Sequence, residues 1–538
     1  MDNKRVILAV GLSMLVLLGW SYFFAPQQPQ QQPSQTNQTQ TAQQQTQSQA
    51  ANTTMEQASA PAAPAFKAGA GRDIVVETPL YKAVFNSAGG ILTSFELKEY
   101  HETIQRDSAR VNLIPQQSMN RGPLGLIWNG QGTWRSDTWN VPTTKDVIVT
   151  NEGGEDSLTF LGAMGDLLIK RTLTFHPETY RIDESVELLN MGGLPISGRL
   201  GVSIASGDLT TKESRYNPMR VSYLTADGVD DENDRDDLGK GMQLNNGVQW
   251  GAIQNNYFAL AIAPEAGDVA LRTNYQDGLF RLQMDKQAIN IAPDTMQKVA
   301  TSYYFGPVMD QYLETAPNNL DQLVTYGFFD VLSKPLLKLL HLFHGFVGNW
   351  GLAIILLTIV IKIVFWPLSH KSYKSMNQMK KIQPLMAKVR EQYKDDRQKM
   401  NEEMMRLYKT YKVNPAGGCL PMLLQIPVFL GLYQALLGAI ELRHAPFIAH
   451  VPFTDLIWLA DLSAKDPFYV TPVIMGATMF LQQKMTPSPG DPTQAKMMLF
   501  MPVIFTFLFL NFPAGLVVYW LVNNVLSIAQ QWMMLRKA

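Results

Sequence analysis

Hydrophobic and polar positions along this chain fall into four successive patterns. The first is an uncharged run of nineteen residues, Val6 to Phe24, behind the basic pair Lys4-Arg5. At about 1.5 Å per residue such a run crosses a hydrocarbon layer of about 30 Å. It ends Tyr22-Phe23-Phe24-Ala25-Pro26 without the small residues of a cleavage site, so it reads as an uncleaved signal anchor over 1–25 and not as a removed signal peptide. The second pattern, 26–71, is almost entirely Gln, Ser, Thr, Ala, Pro and Asn. That composition buries too little apolar surface to offset its ordering entropy and predicts a disordered tether.

From 72 to 317 short alternating segments recur between Gly, Pro and Asn clusters: "LYKAVF", "GGILTSFELKEY", "IKRTLTF", "YRIDESVELL", "WGAIQNNYFALAIAP" and "KVATSYYFG". Period-two alternation of this kind predicts a β-sandwich. At "DVLSKPLLKLLHLFHGFVGNWG" the period lengthens to about 3.6, with Lys334, Lys338, His341 and His344 opposite Leu336, Leu339, Leu340 and Phe343. An amphipathic helix lying in a membrane interface follows for 318–349. Further apolar runs occupy 350–367, 419–440, 467–483, 497–510 and 516–535. With the N-terminal anchor they make six candidate spans.

Charge orients these elements. The chain as a whole carries a formal −1, but 368–418 holds twelve Lys/Arg against five Asp/Glu, leaving −8 for the remainder. Lys4-Arg5 and the basic 368–418 segment both belong on the cytoplasmic side by the positive-inside rule, and the two cues agree. Within that segment Met379, Met386, Val389 and Tyr393, then Met400, Met404, Leu407 and Tyr411, repeat at helical spacing around Asp395-Asp396. An antiparallel helical hairpin with an acidic turn capping its second helix is expected. Its basic surface is either a solvated face or a docking surface through Lys380, Lys381, Lys388 and Arg390.

Only Lys362 is formally charged within the five C-terminal runs. A charge at mid-membrane costs about 2.5–3.5 kcal/mol on insertion scales, so it needs a reason. It is either an anchor snorkelling toward the helix end near Trp366 or the wall of a polar groove that Thr358, one turn earlier, continues inward. A single cysteine, Cys419, excludes an internal disulfide framework and thiolate-rich zinc sites. No phosphate-binding glycine loop, zinc-protease helix motif or nucleophile elbow is present in the β-rich region, which argues against an enzyme. A solute transporter or channel is the alternative, although none of these runs contains Asp or Glu. A carbohydrate enzyme on a membrane anchor is a weaker one.

The stretches "FVGNWGLAIILLTIVIKIVFWPLSHKSYKSM", "MRLYKTYKVNPAGGCLPMLLQIPVFLGLYQAL", "ELRHAPF", "DLSAKDPFYVTPVIMGATMFLQQKM" and "MPVIFTFLFLNFPAGLVVYWLVNNVLSIAQQ" resemble the YidC family of membrane protein insertases. The resemblance runs end to end and implies the Gram-negative form, whose periplasmic domain is an all-β supersandwich, with an insertase core over 350–538. It implies a hydrophilic groove open to the cytoplasm and lipid, with a positive residue, usually arginine, in its wall. Here Lys362 takes that position, keeping the charge while losing the bidentate fork. Gln425, Tyr519, Trp520, Asn523 and Asn524 are further candidate groove residues, with ordinary interhelical hydrogen bonding the competing role for the amides. Implied partners are nascent membrane proteins, the Sec translocon, the ribosome and a targeting receptor, and membrane lipids. Neither cofactor, metal nor small-molecule substrate is implied. The implied location is the bacterial inner membrane.

The expected topology places 368–418 and 484–496 in the cytoplasm, with 25–345 and 441–466 outside. A cysteine introduced at position 395 should stay unmodified by an impermeant thiol reagent in intact spheroplasts and react once they are lysed. Labelling before lysis would reverse the topology.

Overall fold

The structure, a computed structural model, describes residues 71–538 except 106, 134–138, 152–153, 211–214, 266–268, 315, 412, 414–419, 452, 455, 487–491 and 537–538. The anchor and nearly all of the tether expected from the sequence lie outside the described residues, as does Cys419.

The region from Asp73 to Pro307 is β-rich and sandwich-like. Its largest sheet has eight strands, running from Gly228–Glu232 at one edge through Arg220–Thr225, Trp250–Gln254, Phe258–Pro264, Met296–Pro307, Arg181–Asn190 and Leu167–Phe175 to Asp156–Met164. A six-stranded sheet centres on Leu279–Ile291 paired with Ile196–Ser206, and a five-stranded sheet is built around Tyr81–Asn86 and Ile91–His101. Pairing is antiparallel throughout except between Asp73–Glu77 and Val147–Val149. The stretch "WGAIQNNYFALAIAP" is a hairpin of two strands. Asn255 makes its turn, its side-chain oxygen accepting from the amides of Tyr257 and Phe258 at 2.8 and 2.9 Å.

Alternation decides what faces the interior. Arg181–Asn190 buries every second residue, Ile182, Glu184, Val186, Leu188 and Asn190, so a carboxylate is carried inward along with the aliphatics. On the neighbouring strand the same rule brings Arg171 inward between Ile169 and Leu173. The two charges meet through the Arg171 Nε donating to Glu184, while Arg171 Nη1 donates to the Gly90 carbonyl at 2.6 Å. Tyr303 donates its hydroxyl to the same carboxylate, and burial followed by the Glu184 charge pushes that hydroxyl's pKa well up. Tyr81, Tyr180, Tyr304, Phe85 and Trp250 fill the surrounding core.

Eight helices of the C-terminal region concern the site: α1 (Asp330–Val347), α2 (Trp350–Val364), α3 (Trp366–Gln392), α4 (Arg397–Thr410), α5 (Leu420–Gly438), α6 (Val470–Met485), α7 (Pro492–Phe509) and α8 (Ala514–Arg536). Among the described residues no single helix is long and apolar enough to cross a membrane; α2 and α3 together pass that test, bent by 64° at their junction. This corrects the expectation of an unbroken span over 350–367. Pro367 at the start of α3 lacks the N–H that would continue the α2 ladder, and its ring crowds the preceding turn, so the chain bends there. The expected count of six spans is thus not established helix by helix.

Small residues set the spacing. A side chain at Gly351 would overlap the Phe447 ring, and one at Gly431 would press Leu332 at 2.9 Å, so α2 meets the loop after α5, and α5 meets α1, at backbone distance. Ser333 donates to the Gly431 carbonyl at 2.8 Å. The β domain is tied to the helices by Arg443, which donates to the His101 carbonyl at 2.7 Å and lies over the Phe258 ring at 5.5 Å.

Removing one partner of a buried ion pair leaves the other charge unpaired, at a cost of about 3–5 kcal/mol. Glu184→Ala should therefore destabilise the chain by about that amount in denaturant unfolding, whereas a change at an exposed residue such as Asp227 should be close to neutral.

Candidate functional site

Helix α2 begins at Asn349, whose side-chain oxygen accepts from the Leu352 amide at 3.0 Å. Its buried face comprises Gly351, Ala353, Ile354, Leu357, Thr358 and Ile361. Thr358 closes its own hydrogen bond, donating to the Ile354 carbonyl at 2.7 Å, which lets a hydroxyl sit fully buried. Lys362 follows one turn later. Its Nζ donates to Ser527 Oγ on α8 at 2.7 Å, and Ser527 donates in turn to the Asn523 carbonyl at 2.7 Å. An ammonium has three donors. Among the described residues no carboxylate pairs with this one.

Helix α8 presents Tyr519, Asn523 and Ser527 at four-residue intervals, which aligns them on one face. Asn523 Oδ1 accepts from Gln425 Nε2 on α5 at 3.1 Å, and the buried Tyr519 hydroxyl lies within hydrogen-bonding reach of the same Gln425. Toward the end of α8 Tyr373 of α3 is within reach of Ser527 and Gln531, and Gln531 donates to Thr486 at 3.4 Å. A polar line thus crosses the contact of the otherwise apolar α2, α5 and α8 and reaches the basic α3. Asn524 Nδ2, Gln530 Nε2 and Gln531 Oε1 are buried with no hydrogen-bond partner among the described residues, at a cost of about 1–3 kcal/mol for each atom left unmet.

Of the residues singled out in the sequence, Lys362, Gln425, Tyr519 and Asn523 are brought together. Thr358 lies one turn inward of Lys362 and Asn524 is buried beside Asn523. Trp520 stands apart, its indole in an aromatic cluster with Phe429 at 4.6 Å and Phe509 at 4.9 Å. Sequence reasoning missed Ser527, Tyr373 and Gln531. Ser527 was within reach of that reasoning, since it continues the Tyr519–Asn523 spacing by one more turn.

The α3–α4 hairpin has its own small core of Ile382, Met386, Met404 and Val413, with Met379, Val389, Met400, Leu407 and Tyr408 against it. Tyr411, assigned to that face by spacing, is half exposed, and Tyr408 packs there instead. Asp396 caps α4, accepting from the Lys399 amide at 3.0 Å. Lys380, Lys381 and Lys388 are exposed and Arg390 is partly so, none of them ion-paired among the described residues.

A large β-rich domain followed by apolar helices that enclose a lone cation defines a class of integral membrane protein with an outer domain. Comparison with known proteins agrees with this division. The family described as "60Kd inner membrane protein" matches residues 342–538, and that described as "YidC periplasmic domain" matches 73–339. The membrane protein insertase YidC of Maridesulfovibrio salexigens is 52% identical over 538 residues, covering 100% of this chain and 99% of its own. The corresponding proteins of Nitratidesulfovibrio vulgaris strain DP4 and Lawsonia intracellularis are 52% and 44% identical, each with full coverage of both chains. A crystal structure of an active YidC insertase with its first transmembrane domain resolved is similar at 20% identity and a TM-score of 0.36, covering 87% of this chain and 95% of that one. The chain belongs to the YidC family of membrane protein insertases, inner-membrane proteins with a periplasmic domain.

Proposed function

We propose that this protein inserts, folds and assembles integral membrane proteins in the inner membrane, independently of or together with the Sec translocon. The polar line between α2, α3, α5 and α8 is the wall of a groove entered from the cytoplasm. The observation that carries this reading is that Lys362 is held by one neutral hydroxyl and, among the described residues, by no carboxylate. A cation so placed keeps donors and charge for an incoming polar or acidic segment, and because its partner is neutral, exchange breaks a hydrogen bond rather than an ion pair.

The mechanism is non-covalent. A nascent segment's hydrophilic part exchanges its hydration for Lys362, Gln425, Asn523 and the unmet amides of α8, while its apolar part partitions sideways into lipid. Helix α2 has fifteen residues, roughly 22 Å as a straight helix, which is short of a hydrocarbon layer of about 30 Å. Local thinning at such an element lowers the barrier to passing a short polar segment. The driving energy is the segment's own apolar burial, aided by the membrane potential acting on its charges. The exposed lysines of the α3–α4 hairpin receive the ribosome or a targeting receptor.

Lys362→Ala should leave the protein folded and abundant but impair insertion of a single-span client, Lys362→Arg should function, and Lys362→Glu should fail by repelling acidic segments. Insertion measured at equal protein levels tests this order. Normal insertion by Lys362→Ala would reduce the residue to a helix-end anchor. Neutralising Lys380, Lys381, Lys388 and Arg390 together should weaken ribosome or receptor binding and flatten its salt dependence, since screened charge contributes less as ionic strength rises. Binding that keeps its strength and salt slope would make this face a solvated one.

A further inference from the structure

Between α5 and α6 the chain forms a small antiparallel hairpin, Ile448–His450 paired with Ile457–Leu459. Its base is fixed on two sides. Phe447 packs where Gly351 leaves room at the start of α2, and Asn349 Nδ2 donates to the Pro446 and Phe447 carbonyls at 3.2 Å. The indole of Trp458 donates at 2.9 Å to Asp466, whose carboxylate also accepts from the amides of Phe468 and Thr471 at the start of α6.

The far end carries its own hydrogen bonds among the described residues. Val451 donates its amide to the Leu456 carbonyl at 2.8 Å, and Thr454 returns both its amide and its hydroxyl to the Val451 carbonyl at 3.0 Å. Yet this tight turn displays apolar side chains: Phe453 is wholly exposed, with its backbone in the left-handed region at φ 67°, and Leu456 and Ile457 are at least half exposed. A cluster of exposed large apolar residues on a hydrogen-bonded turn marks a contact surface.

We infer that the hairpin is a membrane-interface anchor whose tip seats Phe453, Leu456 and Ile457 among the lipids of the outer leaflet. This rests on the reading that α2 and α6 start at the outer face of the membrane. Phe453 is six positions beyond Phe447, so the tip lies at most about 22 Å from the residue that packs on the start of α2. Ile457 precedes Trp458, which is tied to the start of α6, and on α6 Val470, Val473 and Ile474 expose a further apolar strip. The tip's apolar surface thereby continues the strip that α6 offers to lipid. Seating at headgroup depth and not in the hydrocarbon centre keeps the polar backbone of the turn within reach of water. A hairpin seated there steadies the outer ends of α2 and α6 from the side, complementary to the Arg443 tie on the β domain.

Nitroxide labels report this directly. On a Cys419→Ser background, Phe453→Cys, Val473→Cys and Asp227→Cys would each be labelled and the full chain reconstituted in phospholipid vesicles. Collision rates would be measured with oxygen, which concentrates in lipid, and with a neutral nickel chelate, which stays in water. The oxygen-to-nickel ratio at 453 is expected to exceed that at 227 severalfold and to fall below that at 473. A ratio at 453 equal to that at 227, with 473 in lipid, would overturn the anchor while leaving the span reading intact. Water-like ratios at both 453 and 473 would overturn the span reading and the anchor with it. Should 453 be water-exposed in vesicles of the purified chain and become shielded only when the Sec translocon is added, the surface is a protein contact and the lipid assignment is wrong.

Discussion

A lysine ammonium between apolar helices, held by a single serine hydroxyl, is the constraint around which the C-terminal half is arranged. Burial between apolar side chains leaves such a group needing polar partners, and the neighbouring helices supply them. They do so asymmetrically: Ser527 accepts from Lys362, the Asn523 carbonyl accepts from the serine hydroxyl, and Gln425 ties the Asn523 side chain to α5. The contact of α2, α5 and α8 is thus specified by hydrogen bonds as well as by packing. Outside lipid, helix association cannot rely on these bonds alone; within it they are among the few directional forces available.

The β domain handles buried charge differently. Arg171 and Glu184 pair with each other, with Tyr303 and with the Gly90 carbonyl. A buried ion pair of this kind fixes the register of the strands that carry it and suits a rigid support. Lys362 is hydrogen-bonded to a neutral serine instead, with no carboxylate partner among the described residues. Arg443 couples the β domain to the helices that contain Lys362.

The acidic cluster near the surface of the β domain shows the same pairing at smaller scale. Burial opposes ionisation of Asp183, but hydrogen bonds from His176, Arg181 and Ser302 outweigh it and hold its carboxyl at about 2. Its contribution to stability is complete above the usual carboxylate range and fades as pH falls toward that value. Periplasmic acidification within ordinary limits leaves it in place.

Much of the architecture was legible in the chain by itself. Period-two alternation marked the strands, the change to 3.6 marked α1, and the repeats around Asp395-Asp396 marked a hairpin whose capping aspartate is Asp396. These are local properties, because side-chain direction follows from backbone period whatever the neighbours are. Lys362 also stood out alone, since one charge among apolar residues is visible without a structure. Tertiary structure decided the rest. The choice of Tyr408 over Tyr411 depends on what lies across the contact. So do the inward pairing of Arg171 with Glu184 and the meeting of Lys362 with Ser527, residues 165 positions apart. Spacing along one helix names the side chains on a face; only packing against another helix determines which of them find a partner and which are left open.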